Sequence, residues 1–327
     1  MQDIRQLCER HQVSVYFGSV VLAILTALFV PDTSALEDGI NPALAFMLFV
    51  TFLQVPMIDL GRAFTRGRFL AAVLTTNFLV IPLFVAVLVQ FLPSEPVVRL
   101  GVLLVLLTPC IDYVVTFSHL GRADAPLLLG ATPALLILQT LLLPVYLGLL
   151  LGKDAATLAQ PGPFIHAFVW LIAVPLVLAG LVQLWAAKGG AGTRWLGALS
   201  HLPVPATAFV LFMVIAAVLP QLGAAADAAI SVIPFYIAFA ILAPLMGWGM
   251  SRLFRLDAPS GRAVAFSAGT RNSLVVLPLA LAVPGALPVL PAIVLTQTLV
   301  ELLSELIYVR IIARFGGPDP IVAETPS

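Results

Sequence analysis

Apolar runs, each about as long as a membrane span, recur along the whole chain and are separated by short polar stretches. A helix needs about 20 predominantly apolar residues to cross a bilayer, and a hydropathy window of that length predicts ten spans. Their approximate bounds are 13–30, 40–60, 69–92, 99–120, 125–151, 162–186, 203–221, 228–251, 261–283 and 287–312. The pattern predicts an all-α polytopic membrane protein whose first span is retained and not cleaved as a signal peptide.

Composition supports this class and excludes others. Hydrophobic residues make up 61% of the chain and charged residues 10%, against about 25% charged in a soluble domain. With zero net charge and no basic stripe, no nucleic-acid partner is expected. The chain shows no nucleotide loop, metal-ligand pair or nucleophile–base constellation, which argues against an enzyme or an ATP-driven pump and predicts no cofactor or metal. Cys8 and Cys110 are interpreted as free thiols.

The basic residues between the predicted spans indicate the orientation. With ten spans, 13 of the 16 basic residues fall on one side of the membrane. These are Arg5, Arg10, Arg62, Arg66, Arg68, Arg122, Lys188, Arg194, Arg252, Arg255, Arg262, Arg310 and Arg314. Only Arg99 and Lys153 fall on the other side, and Arg271 lies within a span. The positive-inside rule then places both termini in the cytoplasm, predicts the cell inner (plasma) membrane as the location, and makes the loop at 153–154 external.

Two segments half a chain apart are similar to each other. The stretch PALAFMLF at 42–49 matches PATAFVLF at 205–212 in six of eight positions, at an offset of 163, and the same offset carries Arg99 onto Arg262. The chain therefore divides into two five-span repeats, 1–157 and 158–327, within one membrane domain. Because five is odd, the second repeat enters the membrane from the opposite side. Such inverted repeats are the plan of many secondary transporters.

Corresponding spans of the two repeats each carry a sequence that interrupts a helix. Span four contains LLTPCIDYVV at 106–115, and span nine contains SAGTRNSLVV at 267–276. Pro109 removes a helix hydrogen bond, and Gly269 provides a flexible point in the other half. At the offset of 163, Thr108 corresponds to Arg271. Discontinuous helices four and nine are therefore predicted, with a substrate site between them near the middle of the bilayer.

Arg271 is the most costly polar residue within a span. A guanidinium in hydrocarbon costs about 2.5–3.5 kcal/mol even on a lenient insertion scale, so such charges usually mark transport pathways. Arg271 is accordingly predicted to face a polar cavity. The alternative is a structural counter-ion that locks the two breaks together. Its candidate partners are Asp112, Glu301 and Glu305.

The other polar residues within spans allow two interpretations each. Asp112 is a proton carrier or substrate contact, or else a helix-terminus partner of Arg271. It can share a cavity with Cys110 only if the segment between them is unwound. The Cys110 thiolate is a soft ligand for a metalloid, or else the side chain is simply packed in the core. Glu301 and Glu305 lie on one helix face and suit a proton shuttle, or else a polar seam between helices.

The residues around both breaks resemble a known family. The segment LLTPCIDYVVTFSHLGRADAPLLLGATPALLILQTLLLPVYLGLLLG and the segment GTRNSLVVLPLALAVP are similar to spans four, five and nine of the bile acid:sodium symporter superfamily, in its arsenical-resistance permease branch. The resemblance runs over essentially the whole chain in span order and is specific in these segments. It implies ten spans, a core and a panel subdomain, and crossed, unwound fourth and ninth helices.

The resemblance also implies roles for single residues. Arsenite permeases have a functional cysteine after the proline of span four, which corresponds to Cys110, and a glutamate in span ten, which corresponds to Glu301. In sodium-coupled symporters a glutamate and a glutamine–asparagine pair in span nine supply sodium ligands. Here those positions are Ser267, Arg271 and Asn272, so transport is predicted not to need sodium. Arg271 also departs from the arsenite branch, which often has an asparagine pair there.

Three hypotheses follow from these features. The first is efflux of arsenite or antimonite by proton antiport, with Cys110 binding the metalloid and Asp112, Glu301 and Glu305 handling protons. The second is a carrier of a small organic anion, with Arg271 binding the anionic group. Thr108 and Asn272 are predicted to bind the substrate together with Cys110 and Arg271. The third is a receptor on a transporter scaffold, which the lack of a sizeable soluble domain disfavours. The oligomeric state stays open.

Overall fold

The computed structural model describes residues 11–30, 33–54, 66–111, 113–158, 166, 168–220, 225–283 and 288–317, and within them the chain is helical with no strand. The first-half helices are α1 (Gln12–Phe29), α2 (Glu37–Phe52), α3 (Gly67–Phe91, with a π-helical turn at Thr76–Val80), α4 (Pro96–Leu106), α5 (Tyr113–Leu120) and α6 (Ala125–Leu158). The second-half helices are α7 (Val169–Ala187, π-helical at its start), α8 (Ala191–Leu199), α9 (Pro203–Val218), α10 (Ala226–Leu253), α11 (Ala258–Gly269), α12 (Ser273–Leu281) and α13 (Val289–Ile311).

Several of these helices are long and apolar enough to cross a membrane. By length and composition, the described residues contain five such helices, and a sixth if α8 and α9, which meet at a bend of 43°, count as one span. Large apolar side chains such as Leu83, Leu149 and Leu181 point outward and are more than half exposed. In a chain this hydrophobic, such outward faces are lipid-facing surface. The predicted membrane class is therefore confirmed.

The predicted bounds differ from the helices in three places. Helix α2 ends at Phe52, and the rest of predicted span 40–60 lies largely outside the described residues. Helix α6 runs on to Leu158, so residues 153–154 continue a helix and the loop predicted there was wrong. The short helix α8 was not predicted, because its nine residues are amphipathic and fall below the length of a span.

The helices pack as two groups. In the first group, α9 contacts α1 and α2, α7 contacts α2, and α8 packs on α7. Helices α3 to α6 and α10 to α13 form the second group, in which α10 packs along α11 and α13. The groups meet where α2 contacts α12 and where α9 contacts α13. Both interrupted helix pairs, α4 with α5 and α11 with α12, belong to the second group.

A glycine allows α10 and α11 to approach closely. A Cβ atom at Gly247 would lie 2.8 Å from the carbonyl oxygen of Val264 and 2.9 Å from Cα of Ala265. Any larger residue would push the two backbones apart, because distances below 3.0 Å do not occur for real Cβ atoms. This contact holds α11, and with it the second break, against the long helix α10.

Candidate functional site

The first interruption separates α4 from α5. Helix α4 ends at Leu106, and α5 begins at Tyr113. The hydroxyl of Thr108 lies 3.0 Å from the carbonyl oxygen of Leu104 and 2.9 Å from that of Val105, so it binds to the last turn of α4. The segment that carries Cys110 is unwound, as the sequence requires if Cys110 and its neighbours are to face one site. Asp112 lies outside the described residues.

The second interruption separates α11 from α12. Helix α11 ends at Gly269, Thr270 has the extended backbone angles φ −100 and ψ 127, and α12 begins at Ser273. Only three residues lie between the helices, and all of them are buried. The break is therefore short and lies within the protein interior, away from lipid.

The two breaks cross and pair as a short antiparallel bridge. Pro109 and Arg271 form the bridge; the backbone N–H of Cys110 donates to the carbonyl oxygen of Thr270 at 3.1 Å, and that of Asn272 donates to the carbonyl oxygen of Thr108 at 2.8 Å. Non-helical backbone at membrane depth must find such partners, because an unpaired peptide group costs several kcal/mol in an apolar medium. The pairing brings these six residues together, and all of them except Thr270 are residues of the candidate site or helix break named from the sequence.

The Arg271 guanidinium is fully buried among oxygen atoms. Its Nη2 donates to the Asn77 Oδ1 at 2.8 Å and to the carbonyl oxygens of Ser267 at 2.6 Å and Ala268 at 2.8 Å. Its Nη1 donates to the carbonyl oxygen of Leu106 at 3.4 Å. The three carbonyls belong to the last turns of α4 and α11, where helix dipoles favour a positive charge.

Two further contacts define the surroundings of this cation. The guanidinium carbon lies 5.4 Å from the ring centroid of Phe239, within reach of a cation–π interaction. Its Nε and the Asn272 Nδ2 have no hydrogen-bond partner among the described residues. The sequence predicts that Arg271 faces a polar cavity; in this conformation its side chain is 0% exposed, and protein oxygens form its polar surroundings.

Glu301 binds the crossing through three donors. One carboxylate oxygen accepts the hydroxyl of Tyr113, and the other accepts the side-chain amide of Gln297 and the backbone N–H of Arg271, the latter at 2.8 Å. The carboxylate is buried and makes these bonds to neutral groups; within the described residues it forms no hydrogen bond to the guanidinium. Glu301 therefore balances the charge of Arg271 while binding its main chain.

Glu305, one helical turn further along α13, has a different environment. Its Oε1 lies 2.5 Å from the hydroxyl oxygen of Thr270, and its Oε2 has no hydrogen-bond partner among the described residues. The side chain is completely buried. Of the three candidate carboxyl partners of the second break, Glu301 and Glu305 thus both contact it, at Arg271 and Thr270 respectively.

Sequence reasoning missed Asn77 and Thr270. Asn77 lies in the π-helical turn of α3, donates to the Ser267 hydroxyl at 2.9 Å and accepts from Arg271. A single amide within an apolar span is a signal that could have identified it. Thr270 is an ordinary residue in the sequence, and only its contact with Glu305 marks it.

Cys110 of the site is buried, at 0% exposure, and forms no disulfide among the described residues, while Cys8 lies outside them. In the described part of the chain, no group of three or more His, Cys, Asp or Glu side chains could hold a metal ion. A soft metalloid at this site would therefore find one thiol ligand, Cys110, among backbone carbonyls, hydroxyls and the Asn272 amide.

A cavity of about 280 Å³ lies between the two helix groups. It lies near the ends of α9 and α12 and the start of α2. It is lined by Glu37, Asp38, Ile40, Asn41, Val218, Leu281 and Pro288. Two of these lining residues, Glu37 and Asp38, carry carboxyl groups.

One comparison with known proteins is informative. A family model described as "Sodium Bile acid symporter family" matches residues 41–225, which is more than half of the chain. The matched region includes α4, α5 and the whole first break. No curated protein matches the chain.

Proposed function

Since the chain belongs to the sodium bile acid symporter family, a family of membrane transporters, we propose that it is a sodium-independent, proton-coupled secondary transporter with its substrate site at the helix crossing. The observation that carries this proposal is the Arg271 guanidinium, which lies among Asn77 Oδ1 and three backbone carbonyl oxygens. Oxygen ligands of this kind are what a hard cation binds. A tethered cation among them repels a mobile one, because charges interact strongly at low dielectric.

The proposal includes ten spans in two inverted repeats. Helix bounds support it: shifted by 163 residues, Pro96–Leu106 falls on 259–269, where α11 is Ala258–Gly269. The same shift moves Gly67–Phe91 to 230–254, where α10 is Ala226–Leu253. The two breaks thereby take equivalent positions in the two halves.

The proposal places the protein in the plasma (inner) membrane with both termini in the cytoplasm. This orientation rests on the 13-to-2 distribution of basic residues between the two sides. Single cysteines introduced at positions 154 and 190 of a cysteine-free protein test it. An impermeant maleimide added from outside should modify Asp154→Cys and leave Gly190→Cys unmodified. The reverse result would overturn both the orientation and the inverted repeat.

For the substrate, arsenite or antimonite is the first candidate. The Cys110 thiol lies at the crossing, and sulfur is a far better ligand than oxygen for a soft metalloid. In this conformation the guanidinium of Arg271 is already bound by protein oxygens, which weakens its case as the anion-binding group.

A small organic anion is the second candidate. It is favoured by the family description and by the buried Nε of Arg271 and Nδ2 of Asn272, which have no partner among the described residues. These are two donors that a carboxylate or sulfonate accepts well. The two candidates assign the key role to different residues.

Transport into everted membrane vesicles distinguishes the candidates, with labelled arsenite and labelled taurocholate as probes. We expect arsenite uptake that continues when sodium is replaced by choline at constant pH and potential. Cys110→Ser should abolish it, while Cys8→Ser retains it. Arsenite uptake that survives Cys110→Ser contradicts the thiol mechanism, and taurocholate uptake lost in Arg271→Gln would support the anion carrier. Uptake that requires sodium would overturn the assignment of Arg271.

A further inference from the structure

We propose that Glu305 is the residue that carries the exchanged proton and that Thr270 is the positioning residue that links this proton to the second break. The inference rests on the proposed proton coupling and deepens it. The sequence groups Glu301 and Glu305 together as candidates; the hydrogen-bond geometry gives them different states.

The hydroxyl of Thr270 has one hydrogen and two close oxygen neighbours. It lies 2.7 Å from the carbonyl oxygen of Phe266 and 2.5 Å from the Glu305 Oε1. Neither neighbour can donate if Glu305 is ionised, so one of the two short contacts would then be a repulsion between lone pairs. Both contacts are satisfied when Glu305 is protonated, donates to Thr270, and Thr270 donates to Phe266.

Glu301 differs from Glu305 at its second oxygen. Its Oε2 accepts from the side-chain amide of Gln297 and from the backbone N–H of Arg271, whereas the Oε2 of Glu305 has no hydrogen-bond partner among the described residues. The Oε1 of Glu301 contacts the Tyr113 hydroxyl, which also lies 3.1 Å from the carbonyl oxygen of Arg271. A carboxylate that accepts several hydrogen bonds is held in its ionised form. The structure thus contains an ionised carboxyl that belongs to the crossing and, one turn away, a carboxyl that holds a proton.

The surrounding charges support the same division. The titratable groups that interact with Glu305 are Glu301 and Tyr308, both on α13. Arg271 in the break interacts in turn with Glu301 and Tyr308. Arg271 and Glu301 already balance each other. A second buried carboxylate would carry an uncompensated negative charge beside Glu301, which is strongly unfavourable in a dry interior.

Loss of the proton would change the break directly. When the Glu305 O–H bond breaks and the proton passes to water, the carboxylate becomes an acceptor for the Thr270 hydroxyl. That hydroxyl then turns from Phe266 in the last turn of α11 toward α13. The backbone carbonyl of the same Thr270 binds Cys110, so the proton and the substrate site act on one residue of the break.

Infrared difference spectroscopy of the purified, reconstituted full-length protein near neutral pH tests the protonation without any substrate. We expect a C=O stretching band of a protonated carboxylic acid in the wild type, lost in Glu305→Gln and kept in Glu301→Gln. Thr270→Val should shift this band. Thr296→Val is the matched control, because its hydroxyl binds only the carbonyl of Ala292 one turn back on α13. Absence of the band, or its loss in Glu301→Gln alone, overturns the proposal.

Transport by the same variants separates this inference from the proposed function. Glutamine at position 305 mimics the protonated acid, so Glu305→Gln should lose accumulation of labelled arsenite driven by a proton gradient and keep exchange of internal for external arsenite. Gradient-driven accumulation that survives Glu305→Gln in a proton-dependent wild type overturns the inference. If the wild type transports no arsenite, the substrate assignment fails, and the infrared result still decides the role of Glu305.

Discussion

The two helix breaks pair with each other at one crossing and are built by different means. In the first, Pro109 removes a backbone donor, and its ring restricts the chain locally. In the second, no proline lies between Gly269 and Ser273, and the side chain of Arg271 binds carbonyl oxygens on both sides of the crossing. One break is therefore imposed by covalent geometry and the other by long-range contacts. The two segments of one crossing can thus be held by different kinds of interaction.

Arg271→Ala should have the largest effect on this arrangement, because the second break depends on that side chain. The substitution leaves several buried carbonyl oxygens without their donor and Glu301 without its counter-charge. Breaking a buried pair of this kind costs about 3–5 kcal/mol. We expect a large fall in the thermal unfolding temperature of the detergent-purified protein and loss of transport. Arg310→Ala, at the partly exposed end of α13, is the control and should change neither. An unchanged melting temperature would show that the guanidinium does not hold the break.

Asn77→Ala should have an intermediate effect. The amide accepts from Arg271 and donates to Ser267, so its removal takes away one support of the second break and leaves the others. A buried donor left unsatisfied costs about 1–3 kcal/mol. Gln90→Ala in the same helix is the matched control for Asn77→Ala. Among the described residues, this exposed amide donates only to the carbonyl oxygen of Ala86. Equal stability of the two variants would contradict the contribution of Asn77 to the crossing.

Pro109→Ala should have the smallest effect, although it changes the residue that marks the first break most clearly in the sequence. The backbone bonds from Cys110 to Thr270 and from Asn272 to Thr108 remain available. Loss of a proline in a compatible conformation costs about 0.4–1 kcal/mol, mainly through the unfolded chain. A destabilisation as large as that of Arg271→Ala would remove the distinction between the two breaks. Thermal unfolding of Pro109→Ala and Arg271→Ala, followed by circular dichroism under the same conditions, measures the two destabilisations.

The sequence predicted those features that have a local signal. Pro109, Gly269 and the charge of Arg271 identified both breaks, because each is unfavourable in a regular apolar helix. The contacts of Asn77 and Thr270 could not be predicted, since their partners lie 194 and 35 residues away and are set by how the helices cross. The sequence predicts polar surroundings for Arg271 without identifying the atoms that provide them. In the structure, backbone carbonyls at the ends of two helices provide them.

The bridge between the breaks also constrains how the protein is made. The carbonyl of Thr108 and the N–H of Cys110 are paired with residues 270 and 272, which are synthesised about 160 residues later. Until α11 and α12 enter the bilayer, this part of the first half has to rest in the insertion machinery or against water, because lipid offers its peptide groups no partner. Completion of the second half is therefore the step that commits the first half to its place in the membrane.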